Sequence, residues 1–150
     1  MLELVTTKKS DDRLLDRMKI HYSEPWGFVG RSICYAIIYD GLYYGHIVGG
    51  SAARFLPGRN SFLKVSPYYI NRVVNNIFSN ISKVKGEYPK RNFTSFVLDK
   101  FVQRIKIDWE ERYKDKVIGF EALVEKPRTG ELYRRAGWEL VGETKGFTCR

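Results

Sequence analysis

Cysteine is scarce in this sequence. Only Cys34 and Cys149 occur, far apart, which is too few for a disulfide scaffold and matches no zinc-ligand spacing. A reducing, cytoplasmic setting is the expectation. The opening "MLELVTTKKSDDR" has no basic start followed by an apolar core, so no secretory leader is expected. Long hydrophobic runs are missing as well. The least charged stretch, Ser32–Ala53, still carries Asp40, His46, Gly41, Gly45, Gly49 and Gly50, and therefore reads as soluble strands rather than a membrane span. No Walker loop, no Gly-x-Gly-x-x-Gly turn, no nucleophile elbow and no His/Cys cluster at metal-ligand spacing is present. Acid is short too: 17 Asp and Glu stand against 26 Lys and Arg, for a net charge of +9. Such an excess favours a polyanionic partner: nucleic acid, a phosphorylated cofactor or an anionic membrane. A basic protein with no such partner is the alternative.

What is there suits one folded domain over 1–150, since 43% of the residues are hydrophobic and 15% aromatic. "LELVT" (Leu2–Thr6) reads as a strand. Ser10 before Asp11 and Asp12 reads as a helix start, with Leu14, Leu15 and Met18 on its apolar face and an end before Pro25. Asp40-Gly41 between two aromatic and β-branched runs predicts a tight hairpin. "ARFLPGRNS" reads as a loop, and "YYINRVV" and "NISKV" as strand pieces parted by Asn75-Asn76. The clearest helix follows Pro89. Asn92 or Thr94 can cap it, and Val97, Phe101 and Ile105 recur four apart with Leu98, Val102 and Trp109 beside them. "VIGFEALVE" predicts a buried strand, Gly130–Ala136 a short helix stopped by Gly137, and "WELVGETKG" a last strand. The order β-α-β-β-β-α-β-α-β predicts an α+β fold with helices on a mixed, largely antiparallel sheet.

Two clusters carry candidate chemistry. Lys90, Arg91, Asn92, Thr94 and Ser95 gather at the start of the long helix, where free N–H groups and the positive dipole end favour a phosphate. A capped helix with solvated Lys90 and Arg91 is the plainer alternative. Glu125 ends the penultimate strand and Tyr133 follows one short loop later, so the two can act as general base and general acid. A surface Glu and a half-buried Tyr packed on Trp138 is the plainer alternative. Arg128, Arg134 and Arg135 add charge suited to phosphate contacts, and Arg31, Arg54 and Arg59 are further contacts assigned from charge alone. His21 closes the first helix, where a cap is the commoner role, and His46 reads as structural. Tyr22, Trp26 and Tyr88 are aromatic enough to stack on an extruded base.

The ending "GELYRRAGWELVGETKG" resembles the last helix and strand of GNAT-type acyltransferases. Over about Ile20–Gly146, "HYS", the hairpin, "INRVV", "YPKRNFTS", "LVE", "GELYRRAGW" and "VGETKG" fall in the order seen in the Mom family of phage DNA-modification proteins. "VNN", "DWEERY" and "YRRAGWELVGETKG" are also similar to DruA-like domains of a bacterial anti-phage system. The Mom resemblance implies a GNAT-like fold and addition of a carbamoylmethyl-type group to the exocyclic amine of adenine in duplex DNA, which protects that DNA from restriction. It implies roles for His21 and Tyr22 (the His-Tyr pair), for Arg91, Asn92 and Ser95 (the Arg-Asn-x-x-Ser element), and for the late Tyr133. Glu125 stands where the family usually has Asp. The cofactor stays open between acyl-CoA and iron, and "GEYPKRN" replaces the glycine-rich pyrophosphate loop of ordinary GNAT enzymes. The DruA likeness implies instead a DNA-binding module without chemistry. A small-molecule acyl-CoA N-acyltransferase is the third reading.

Overall fold

A computed structural model gives the structure of residues 1–21, 30–53, 57–124 and 130–140, with backbone alone at 19–21, 57, 58 and 61. The elements in chain order are β1 (Leu2–Thr7), α1 (Asp12–His21), β2 (Ser32–Tyr39), β3 (Leu42–Ser51), α2 (Pro57–Leu63), α3 (Pro67–Val73), β4 (Val74–Ile81), α4 (Phe93–Tyr113), β5 (Gly119–Glu121) and α5 (Glu131–Arg135). The strands form one sheet in sequence order. β1 to β4 run antiparallel, and β5 joins β4 in parallel through the α4 crossover. The fold is α+β, an open, largely antiparallel sheet flanked by helices, as the pattern of elements predicts.

The hairpin forms where Asp40-Gly41 allows it. Both residues have positive φ, 47° and 82°, and they join Tyr39 to its partner Leu42 in two residues. Three residues further on, β3 carries a bulge. Ala36 pairs with His46 but Ile38 pairs with Tyr43, so Tyr44 and Gly45 together oppose Ile37. Gly45 takes φ of 125°, and a Cβ there would lie 1.9 Å from the carbonyl oxygen of Asn80. The extra residue changes the phase of the strand. Tyr44 and Ile47 both enter the core under α4, while Val48 faces the other side of the sheet.

The larger core lies between the sheet and α4. Ile33, Tyr35, Ile37, Ile47 and Ile77 meet Val97, Leu98, Phe101, Ile105 and Trp109, the very residues the helical stripe predicts. Each such buried side chain contributes about 1.5–3 kcal/mol by leaving water. The opposite face packs Leu14 and Met18 of α1 on Cys34, Val48 and Phe78. Ile70 of α3 packs on Ala52 and Val74. Gly49 lets α4 sit close, since a Cβ on it would lie 2.3 Å from Ile105 Cδ1 and 3.2 Å from the Phe101 ring. Gly49→Val should therefore lose about 1–3 kcal/mol through overpacking. A urea titration of both proteins reads that loss, and an unchanged midpoint would show that α4 can lift without cost.

Several sequence expectations are corrected. "YYINRVV" is helical up to Val73, because Pro67 occupies the first turn and the Ser66 side chain accepts a hydrogen bond from the Tyr68 N–H. "ARFLPGRNS" was expected to be a loop, yet Pro57 opens α2. Asp11 rather than Ser10 caps α1, with Oδ1 accepting from the Arg13 N–H at 2.9 Å. "VIGFEALVE" pairs as a strand only over Gly119–Glu121. Gly137 does stop α5, with φ of 87° and its N–H donating to the Arg134 carbonyl. Residues 138–140 are not a strand, and 141–146 lie outside the described residues.

Candidate functional site

The parallel pairing of β4 and β5 lasts three rungs, Val74 with Gly119, Asn75 with Phe120 and Asn76 with Glu121. β5 ends there, while β4 runs on to Ile81. Beyond Asn76, the side of β4 away from β3 has no strand partner among the described residues. α5 reaches this stretch. The Tyr133 hydroxyl lies 2.8 Å from Ser79 Oγ, and either group can be the donor. Tyr133 is half-buried, and its ring sits 5.0 Å from that of Trp138, which in turn lies 6.4 Å from Phe120. The packing on Trp138 is the plainer of the two roles read from the sequence. The polar link to Ser79 is additional to it.

Ser79 shares a face of β4 with Ile77 and Asn75, the face turned to α4. Asn75 is fully buried, and both polar atoms of its amide have no hydrogen-bond partner among the described residues. A buried polar group left so costs about 1–3 kcal/mol, which marks this face of β4 as more than core. In the sequence, Asn75-Asn76 reads only as a break between strand pieces.

The connection from β4 to α4 carries the cations. Val84 and Glu87 exchange backbone hydrogen bonds across Lys85-Gly86, both at positive φ. Lys83 Nζ lies 5.7 Å above the Tyr88 ring and Lys90 Nζ lies 3.9 Å above Phe96. Lys90, Arg91 and Asn92 are exposed, whereas Thr94 and Ser95 are half-buried in the first helical turn. Asn92 holds the capping position but in a left-handed conformation, and its side chain makes no capping bond. Thr94 lies past the start of the helix, so it does not cap it. Tyr88 is half-buried beside Phe93 rather than free to stack on a base.

The remaining site expectations divide. Arg134 and Arg135 are exposed on α5, each 3.5 Å from Glu131. Arg31 pairs with Asp115 at 2.5 Å. Arg59 is corrected: it is 3% exposed and cannot touch DNA. Its Nη1 donates to Glu121 Oε1 at 2.5 Å, its Nη2 to the Ala53 carbonyl and its Nε to Asn60 Oδ1. Glu121 Oε2 accepts from Asn76 Nδ2 at 2.8 Å, so the pair sits at the last rung before the strands part. Glu125, Tyr22, Trp26, Arg54 and Arg128 lie outside the described residues, as does the side chain of His21. The acid–phenol pair is therefore represented here by its phenol.

His46 is structural, as the sequence suggests, but its setting has consequences. It is fully buried, with Nε2 3.1 Å from Thr7 Oγ1 and Nδ1 2.5 Å from the Tyr43 hydroxyl. Arg17 Nε donates to that hydroxyl and Arg17 Nη1 to Asn80 Oδ1, while Arg13 covers the Tyr43 ring at 4.5 Å. Burial pushes the imidazole down to about 4, helped by Arg13 and Arg17 and opposed by Asp11. In the unfolded chain the ring takes a proton near 6.5. Between those values the unfolded state binds more protons, so stability must rise with pH. Folding should lose roughly 2–3 kcal/mol as pH falls from 7.5 to 4.5. His46→Gln should flatten the profile across that window in urea titrations; an equally steep profile would assign the slope to other groups.

Among the described residues, no group of three or more His, Cys, Asp or Glu is placed to hold a metal ion. Among them, too, no helix is long and apolar enough to cross a membrane. No family model, curated protein or solved structure matches this chain.

Proposed function

We propose that this chain is a DNA-modifying transferase of the Mom-like kind, adding a carbamoylmethyl- or acyl-type group to the exocyclic amine of adenine. The observation that carries the reading is the Tyr133 hydroxyl, set 2.8 Å from Ser79 where β4 runs on past the end of β5. A phenol fixed by a hydroxyl neighbour, at a strand edge with no partner among the described residues, can meet a reacting group and pass it a proton. The net charge of +9 supports a polyanionic substrate.

The adenine amine is a weak nucleophile whose edge is stacked and paired in a duplex, so the base must leave the helix to react. The amine nitrogen forms the new bond to the donor carbon as the bond from that carbon to its leaving group breaks. Glu125 accepts the amine proton, and Tyr133 gives its proton to the departing group. Lys90 and Arg91, exposed at the start of α4, fit the charge of a phosphate-bearing donor such as acyl-CoA. Such a donor would supply the activated group.

The test is direct. DNA from cells expressing the protein is digested and its nucleosides are analysed by mass spectrometry, in the laboratory host and in the native source. A new mass on deoxyadenosine supports the transferase. An unchanged profile in both, with salt-sensitive DNA binding, leaves a binding module without chemistry. Tight CoA binding with no affinity for DNA points to a small-molecule acyltransferase.

A further inference from the structure

Among the described residues, the aromatic side chains that stand largely in solvent are Phe62, Tyr68 and Tyr69, at 55%, 74% and 55% exposure. They fall within eight positions of one another on two consecutive short helices, α2 and α3. The other described tyrosines and phenylalanines are at least half-buried. Packing does not require these three outside, because Ile70 and Leu63 of the same helices already fill the contact with Ala52 and Val74. The tyrosines are also held on a firm base. Ser66 caps their helix, and the Arg72 carbonyl at its end accepts from Trp109 Nε1 at 2.9 Å.

The electrostatics are one-sided. From Gly41 to Gly86 the sequence holds no Asp or Glu, but it holds Arg54, Arg59, Lys64, Arg72, Lys83 and Lys85. Lys64 is exposed between the two helices, and the Arg72 guanidinium lies 6.0 Å from the centre of the Tyr69 ring. Two carboxylates approach this set: Asp115, 3.2 Å from Arg72 Nε and shared with Arg31, and Glu121, which neutralises the buried Arg59. Exposed rings beside the exposed Lys64 and the Asp115-paired Arg72 suit one chemistry: flat bases on a flexible anionic backbone. A duplex hides its base faces by stacking, so these rings gain nothing from it.

We infer that the α2–α3 surface binds unpaired nucleotides, with Tyr68, Tyr69 and Phe62 stacking on bases and Lys64 and Arg72 holding the backbone. In taking nucleic acid as the polyanion, the inference rests on the reading above. It adds that the protein engages single-stranded segments away from Tyr133, through a surface that carries no chemistry. Such a surface would hold the strand locally opened when a base is drawn out.

Fluorescence anisotropy with a labelled oligothymidine and with a matched duplex tests this, across a salt series. The Tyr68→Ala/Tyr69→Ala protein should lose about 5- to 100-fold in affinity for the single strand. Its duplex affinity and its slope of log affinity against log salt should hold. Tyr68→Phe/Tyr69→Phe should bind as the parent does, since the ring is kept. Lys64→Gln should instead flatten the single-strand slope by about 0.7. Unchanged single-strand affinity in the double alanine protein overturns the inference, as does an equal loss on duplex. Sedimentation showing a dimer that the alanine substitutions dissociate would assign the rings to a second copy and overturn it too. The assay needs no chemistry, so its failure is distinguishable from failure of the transferase reading, which the nucleoside masses report.

Discussion

Arg59→Met should remove about 3–5 kcal/mol of folding stability, because it leaves a buried carboxylate without its counter-charge. Arg59 and Glu121 are 3% and 9% exposed, so water cannot replace the lost partner. Domains of this size hold about 5–15 kcal/mol in all, which puts the variant near the edge of folding. The pair joins α2 to β5, and Asn76 Nδ2 ties the same carboxylate to β4. Its loss should therefore loosen the point where the parallel strands part. Arg59→Met/Glu121→Leu should recover most of the stability, as an apolar pair often equals a buried ionic one. Urea midpoints of the three proteins decide the matter. A single variant as stable as the parent would mean that the pair contributes nothing.

On the transferase proposal, Tyr133→Phe should slow DNA modification by about 100- to 10,000-fold, the usual range for a lost general acid. The fold should be nearly indifferent, because one hydroxyl contact to Ser79 is worth about 1 kcal/mol. Ser79→Ala serves as the positioning control. It keeps the phenol but removes its Ser79 partner, so the rate should fall less than with Tyr133→Phe. The rate of appearance of modified deoxyadenosine, set beside the melting temperature, separates chemistry from folding. A Tyr133→Phe protein that modifies DNA at the parent rate removes Tyr133 from proton transfer.

What the sequence makes legible here is what depends on near neighbours. The stripe from Val97 to Trp109 and the Asp40-Gly41 turn are each set by a few consecutive residues, and both form as read. α3 is also signalled locally, by Ser66 and Pro67, but the β-branched and aromatic run after them speaks louder for a strand. Charge misleads in a different way. Arg59 looks like a surface cation because its partner lies 62 residues away, and no local pattern announces the pairing. Tyr133 stands out in the ending of the chain, whereas Ser79, 54 residues earlier, is an ordinary strand serine until the fold brings the two hydroxyls together. Tyr68 and Tyr69 read as strand residues, and only the packing of Ile70 shows that they point outward.

The bulge at Tyr44-Gly45 also bears on how this chain can change in length. Losing a single codon there would restore strict alternation and eject the Tyr44 ring from beneath α4, or else drag β3 one step out of register with β2. The turn at Lys85-Gly86 faces no such penalty, because its residues are exposed and set no neighbouring strand. Insertions and deletions among descendants of this sequence should accordingly gather at the second position and spare the first.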